Sequence, residues 1–337
     1  MVMEYRSLGR TGVQVSALCL GCMNFGDTNS GADEASSIQI VHHAMDAGIN
    51  FLDTANVYGR GNSETFTGKA LAIDGRRDRV FLATKFFNKM DDTDPNSWSS
   101  HRFHIVKACE DSLRRLQTDH LDLYQVHRPR PTIPIDETLR ALDDLVRQGK
   151  VRYIGTSTFA AWQLTEALWA AKELGLNRFI CEQPPYNLLD RRIERELIPF
   201  CRTYGVAVIP WAPIAGGLLS GKYRLGQERP AGARYEKGAF NNRDNDRALE
   251  RVEQYVALCT ELGVAPAELA LAWCVGRDGI TAPIIGPRNM EQLEAYLASL
   301  KVTVTADVSA RLDGIFEPGT HVSNYYTADF GPNARWC

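Results

Sequence analysis

Leu121-Asp122-Leu123-Tyr124-Gln125-Val126-His127 is a short, largely apolar β-type run that ends on an imidazole. Beyond it, Asp136–Gln148 carries Leu139, Leu142 and Leu145 at helical spacing, and Val151–Gly155 is a second β-type run. Strand, amphipathic helix, strand is the pattern of parallel strands joined by a helical crossover. The unit recurs outward in both directions. Further strand-like runs lie near Ala17–Leu20, Asn50–Asp53, Val80–Thr84, Phe179–Glu182, Ala207–Trp211 and Ala282–Ile285. Helical patterns cover Ala35–Ala47, His104–Leu116, Ala161–Leu174, Glu194–Tyr204, Ala248–Leu262, Pro266–Gly276 and Met290–Leu300. Eight such units in 337 residues predict an α/β fold, a closed (β/α)8 TIM barrel spanning residues 1–337 as a single domain. An open dinucleotide-binding sheet would need a G-x-G-x-x-G turn after an early strand. The first strand leads instead into Gly21-Cys22-Met23-Asn24-Phe25-Gly26.

Two stretches break the repeat. Tyr5–Val15, with Gly9 and Gly12 between β-type residues, reads as an N-terminal β-hairpin able to plug the barrel floor. Gly216–Asp246, a long loop after strand seven, is expected to be a lid or binding loop.

Bulk properties narrow the function. A net charge of −3 leaves no electrostatic footprint for nucleic acid or an anionic membrane. No apolar run approaches the roughly 20 residues that span a bilayer, and no secretory signal opens the chain. The eight cysteines are scattered through apolar segments and read as reduced thiols of a cytoplasmic protein. Cys19-Leu20-Gly21-Cys22 lacks the context for redox or zinc use.

The chemistry sits where barrel strands end, the face that carries active sites in this architecture. Asp53, Lys85 and His127 close strands two, three and four, and Tyr58 follows Asp53 by five residues. A free phenol, with a pKa of about 10, is a poor acid near neutrality. An ammonium beside it favours the phenolate, and a carboxylate keeps a buried ammonium ionised. An imidazole can orient a substrate oxygen. The set is suited to protonating an oxygen that becomes electron-rich. One lysine, one histidine and one aspartate do not make a zinc site.

Phe51-Leu52-Asp53-Thr54-Ala55-Asn56-Val57-Tyr58-Gly59, Thr84-Lys85 and Tyr124-Gln125-Val126-His127 resemble three signature segments of the aldo-keto reductases. The resemblance extends over nearly the whole chain, through Leu8-Gly9-Arg10-Thr11-Gly12, Ile154-Gly155-Thr156-Ser157-Thr158-Phe159 and Gly286-Pro287-Arg288-Asn289-Met290-Glu291-Gln292-Leu293. It implies a barrel that binds NADPH/NADP+ and reversibly reduces aldehydes or ketones to alcohols. Tyr58 would donate the proton, Lys85 lower its pKa, Asp53 pair with Lys85, and His127 position the carbonyl of a small-molecule substrate. For the cofactor it implies Ser157 and Gln183 at the carboxamide and Trp211 stacked on the nicotinamide. Ala212, Pro213, Ile214, Gly217, Leu218, Gly221 and Lys222 would run beside the pyrophosphate. Gly286, Arg288 and Gln292 would hold the adenosine end, with Arg288 on the 2′-phosphate. Gly21, Cys22, Met23 and Asp53 complete the implied contacts.

Some positions depart from the family pattern. Thr158 stands for the usual asparagine, Ala295 and Tyr296 for an acid and an asparagine, and Arg130 for an acid. With Arg128, Arg130 predicts tolerance of polar or anionic substrates. Phe25, Phe86, Phe87 and Trp98 are candidates for an apolar pocket wall. The alternative function is that of relatives which act as potassium-channel beta subunits, binding NADPH with little turnover. A barrel isomerase or lyase would need a phosphate site or a metal-carboxylate cluster, and neither is evident. No coiled-coil seam is visible, so the oligomeric state stays open.

Overall fold

The computed structural model describes residues 3–26, 31–233, 235–236 and 243–326; Cys337 and part of the Gly216–Asp246 connection fall outside these. The hairpin β1 (Tyr5–Ser7) and β2 (Gln14–Ser16) precedes eight parallel strands. These are β3 (Cys19–Gly21), β4 (Phe51–Asp53), β5 (Phe81–Phe86), β6 (Leu121–Val126), β7 (Val151–Ser157), β8 (Phe179–Gln183), β9 (Ala207–Val208) and β10 (Ile284–Ile285). They hydrogen-bond in the order β10-β3-β4-β5-β6-β7-β8-β9. The ring closes where Thr281 N–H donates to Val208 O and Ile284 N–H to Pro210 O, both at 2.8 Å. This is the expected (β/α)8 barrel.

Side chains alternate across each strand. Cys19, Phe51, Ala83, Leu123, Cys181 and Ile284 face the lumen, while Leu20, Leu52, Leu82, Tyr124 and Val126 pack outward under the helices. The hairpin adds Leu8 and Val15 to the luminal cluster, both fully buried, so it does stopper the barrel. Gly21 is glycine for packing: a Cβ there would come within 2.5 Å of Ile284 Cγ2 on the neighbouring strand.

The outer layer follows from stripes and caps. α1 (Glu34–Asp46) starts at Asp33, which accepts from Ser36 N–H. α3 spans Arg102–Leu116. α4 (Ile135–Arg147) has Asp136 and Glu137 in its first turn and buries Leu139, Leu142 and Leu145. Each of those leucines contributes about 1.5–3 kcal/mol by leaving water. α5 (Ala161–Leu174) and α6 (Leu197–Tyr204) follow β7 and β8. α7 (Asp246–Leu262), capped by Asn245, and α8 (Pro266–Val275), with proline at its first turn, both lie between β9 and β10. α9 is Met290–Ala298. Among the described residues no single helix is long and apolar enough to cross a membrane.

Two helices have no counterpart in the sequence reading. α2 (Asn62–Ala72) buries Ser63, Glu64, Thr67 and Gly68 where an apolar stripe would be looked for. Gly68 is tolerated mid-helix because a Cβ would sit 2.6 Å from the Leu116 carbonyl. α10 (Ala306–Ile315), started by Thr305, buries only Val308 and Leu312. Phe25 and Phe86 are fully buried in the outer core, so they do not line a pocket.

Candidate active site

Period-two alternation delivers Asp53, Lys85 and His127 into the lumen at the C-terminal ends of β4, β5 and β6. Lys85 and Gln125 are in register across β5 and β6. Lys85 Nζ donates to Asp53 Oδ2 at 2.6 Å and to Thr54 O at 2.7 Å, with the lysine fully buried and Asp53 2% exposed. Two buried charges are tolerated because each is hydrogen-bonded. Asp53 Oδ1 also accepts from Gln125 Nε2 at 2.9 Å and from Gln183 Nε2 at 3.0 Å. Burial alone would draw the Lys85 pKa down, but the Asp53 charge, with further support from Tyr58, leaves it above the ordinary lysine value.

Tyr58 opens the one-turn segment Tyr58–Gly61 just beyond β4. Lys85 Nζ lies 4.9 Å from its ring centroid. The His127 ring meets it edge-on, centroids 5.6 Å apart. His127 is anchored by its backbone N–H, which donates to Phe86 O at 2.9 Å. Burial, then Arg128, then Lys85 hold its pKa well below the ordinary histidine value, so the imidazole is neutral. Its Nδ1 is buried and without a partner among the described residues. The four predicted residues therefore converge, and Gln125, two positions before His127, joins them.

The rim next to this cluster has features that fit a dinucleotide. Ser157 and Gln183 end β7 and β8; Ser157 Oγ donates to Gln183 O at 2.9 Å. Trp211 packs against Tyr325, and its Nε1 is a buried donor with no partner among the described residues. After it the backbone turns left-handed at Ala212, Ala215, Gly216 and Gly217, a curl of the kind that presents N–H groups to anions. Lys222 folds back over Gly217, so the turn carries a cation. Pro213, Ile214 and Gly221 belong to the same run. Gly286 O accepts from Asn24 Nδ2 at 2.8 Å, tying the first strand's exit, including Met23, to the adenosine-side candidates. Asn289 caps α9, while Gln292 Oε1 accepts the Arg288 N–H at 2.9 Å.

Other candidates have side chains buried away from this rim. The Cys22 thiol points into the outer core, where burial pushes its pKa up to about 12, and Leu218 is likewise buried in the core. The seven described cysteines are free and buried. Tyr296 packs in the core at 8% exposure rather than standing open for stacking.

Arg128 turns inward and donates to His127 O at 2.7 Å and Thr158 Oγ1 at 3.1 Å. It acts as a brace between β6 and β7, not as a cation at the mouth. Next to it lies a residue the sequence reading passed over, Glu182. It is fully buried and accepts from Thr156 Oγ1 at 2.5 Å and Phe159 N–H at 3.0 Å. Burial raises its pKa to about 8.

Thr158 is held at φ +65°, a left-handed conformation that β-branched residues resist and asparagine accepts. Thr158→Asn is expected to stabilise the protein by about 1 kcal/mol, because the amide oxygen can still accept from Arg128. Urea unfolding checks this; an unchanged or lower midpoint counts against strain at this site.

The mouth is roofed by the loop from Phe87 to Ser100. Arg60, two residues after Tyr58, donates to Met90 O at 3.3 Å. From the other side Arg130 lies over Trp98, 4.5 Å from the ring centroid, and Trp98 meets Phe87 edge-on at 6.1 Å. Among the described residues no group of three His, Cys, Asp or Glu side chains is placed to hold a metal ion.

Comparison with known proteins agrees with this geometry. The model of the Aldo/keto reductase family matches residues 17–317. The chain is 41% identical to the oxidoreductase YrpG of Bacillus subtilis (strain 168) over 336 residues, covering 96% of this chain and 99% of that one. It is 36% identical to a probable voltage-gated potassium channel subunit beta of Oryza sativa subsp. japonica, covering 94% and 97%. It is 33% identical to the versiconal hemiacetal acetate reductase of Aspergillus parasiticus, covering 94% and 98%. A barrel with this cluster at its mouth, matched along nearly its full length, belongs to the aldo/keto reductase family.

Proposed function

We propose that the protein is an NADP(H)-dependent oxidoreductase that reversibly reduces an aldehyde or ketone to an alcohol, with Tyr58 as the general acid. The observation that carries this reading is the buried Lys85–Asp53 ion pair set beside Tyr58, with a neutral His127 against the same ring. When bound, the dihydronicotinamide supplies hydride to the carbonyl carbon. The chain's own residues supply placement and the proton. Tyr58 gives its hydroxyl proton to the carbonyl oxygen as negative charge grows there, and the Lys85 ammonium stabilises the phenolate left behind. Neutral His127 offers an N–H to the same oxygen and does not compete as an acid. Asp53 keeps Lys85 ionised in a site with little water. Ser157, Gln183 and Trp211 would hold the nicotinamide end. The turn from Ala212 to Lys222 would hold the pyrophosphate, and Arg288 the 2′-phosphate that distinguishes NADPH from NADH. The free, buried thiols support a reducing, cytoplasmic setting.

A panel of aliphatic and aromatic carbonyls, followed by NADPH absorbance, tests the proposal with Tyr58→Phe as control. Turnover of at least one carbonyl, lost by a factor of about 10²–10⁴ in the variant, is the expected result. Equal rates in the two proteins would remove Tyr58 from the chemistry. Relatives in Oryza sativa and Arabidopsis thaliana bear the name of potassium channel beta subunits at 36% and 35% identity, which motivates a second reading as an NADPH-binding regulatory module. Tight NADPH binding with no carbonyl turned over would favour that reading.

A further inference from the structure

We propose that Arg130, laid over Trp98, recognises a carboxylate on the substrate at the end remote from the reacting carbonyl. The inference rests on the carbonyl-reduction reading and adds the class of substrate. Three observations support it. First, the position is right. The His127 backbone N–H donates to Phe86 O, Phe87 follows directly, Trp98 meets Phe87 edge-on at 6.1 Å, and Arg130 covers Trp98 at 4.5 Å. The backbone at the end of β6 thus adjoins the end of β5, and from there ring contacts lead through Phe87 and Trp98 to the guanidinium.

Second, the guanidinium is uncommitted. It forms no ion pair or side-chain hydrogen bond among the described residues, and it is half-buried. The acids of the roofing loop are already engaged. Asp91 accepts from the Thr93 N–H and hydroxyl, Asp94 from the Asn96 N–H, and Asp92 faces Arg60. Arg128, its neighbour in sequence, is tied to His127 O and Thr158. Among the described residues the Arg130 guanidinium is thus left with open N–H groups and no carboxylate partner.

Third, the contact with the Trp98 ring, 4.5 Å from guanidinium carbon to centroid, restrains the arginine head. A fixed planar fork suits a carboxylate, which accepts two parallel N–H bonds. A freely moving surface arginine would lose more side-chain freedom on binding. The aromatic faces of Phe87 and Trp98 suit a ring or short apolar spacer between the carbonyl and the carboxylate.

The test compares 4-carboxybenzaldehyde with benzaldehyde, which share a reacting group and differ in one remote charge. In the wild type the ratio of kcat/KM, charged over neutral, is expected to be at least about tenfold, shrinking as salt is added. Arg130→Ala should bring the ratio close to one, and Arg130→Lys should retain part of the preference. In parallel, titration calorimetry of the NADP+-loaded protein measures the product 4-(hydroxymethyl)benzoate against benzyl alcohol, which needs no turnover. Arg130→Ala should weaken the carboxylate alone by about tenfold. If benzaldehyde is reduced but both measurements are indifferent to Arg130, the carboxylate assignment is overturned while carbonyl reduction stands. If neither aldehyde is reduced yet product binding depends on Arg130, the anion site stands and the reaction assignment falls.

Discussion

Lys85→Met drops turnover of any accepted carbonyl by about 10²–10⁴-fold and lowers stability by about 3–5 kcal/mol. Both losses have one origin. Methionine keeps the volume and removes the ammonium, so the phenolate formed at Tyr58 loses its counter-charge. At the same time Asp53, 2% exposed, is left as a buried carboxylate with, among the described residues, Gln125 and Gln183 donating to it. The double variant Asp53→Asn/Lys85→Met separates the two effects. Removing both charges restores most of the stability, because a neutral buried pair carries no uncompensated ion, and it does not restore turnover. Unfolding midpoints and initial rates on the same preparations read the two effects. A double variant that regains activity along with stability would show that Lys85 acts only as scaffolding. The Lys85 pKa lies above its ordinary value, so its stabilising contribution is complete below about pH 10 and is lost only as pH climbs through the folded value.

Glu182 produces the second large effect, on stability against pH. Its folded pKa of about 8 stands above the ordinary glutamate value of 4.5. The folded protein therefore keeps a proton that the unfolded chain releases. Stability from this group is fully present below pH 4.5 and falls as pH rises, until it is exhausted near pH 8. Over that window the loss is about 5 kcal/mol. His127 works in the opposite direction. Its imidazole is kept neutral in the fold, so unfolding takes up a proton below about pH 6.5 and stability is lost as pH falls. Buried His104, lowered to about 4, adds to the acid side. The wild-type curve is a sum of these slopes, and the difference between wild type and Glu182→Gln isolates one of them. The variant should lack the decline between pH 5 and 8. Parallel curves for the two proteins would mean that Glu182 is ionised in the fold and that Arg128 neutralises it.

Much of the barrel is legible in the chain because strand alternation and helical stripes are local. Leu139, Leu142 and Leu145 mark α4 without any knowledge of its neighbours. Asp53, Lys85 and His127 are legible because titratable groups stand out at the ends of apolar runs. Gln125 obeys the same alternation as His127, yet an amide has no charge to draw the eye. Phe86 shows the rule left unused. It adjoins Lys85, so it must point the other way, into the outer core. α2 stayed hidden because it buries mainly small and polar groups set by partners far along the chain, such as Glu64, which pairs with Arg115 and Thr84, and α10 because it buries only Val308 and Leu312. Left-handed backbone at Ala212 and Ala215 is likewise unreadable, since alanine does not ask for it. Arg128 and Arg130 look equivalent as letters, and only the fold shows that one is a brace and the other stands open.

The hairpin that carries Leu8 and Val15 settles the traffic through this molecule. With the far opening corked by those two side chains, the described residues leave no through-passage, and Lys85 is approached from the mouth. Whatever arrives there must use a shared doorway and depart by it.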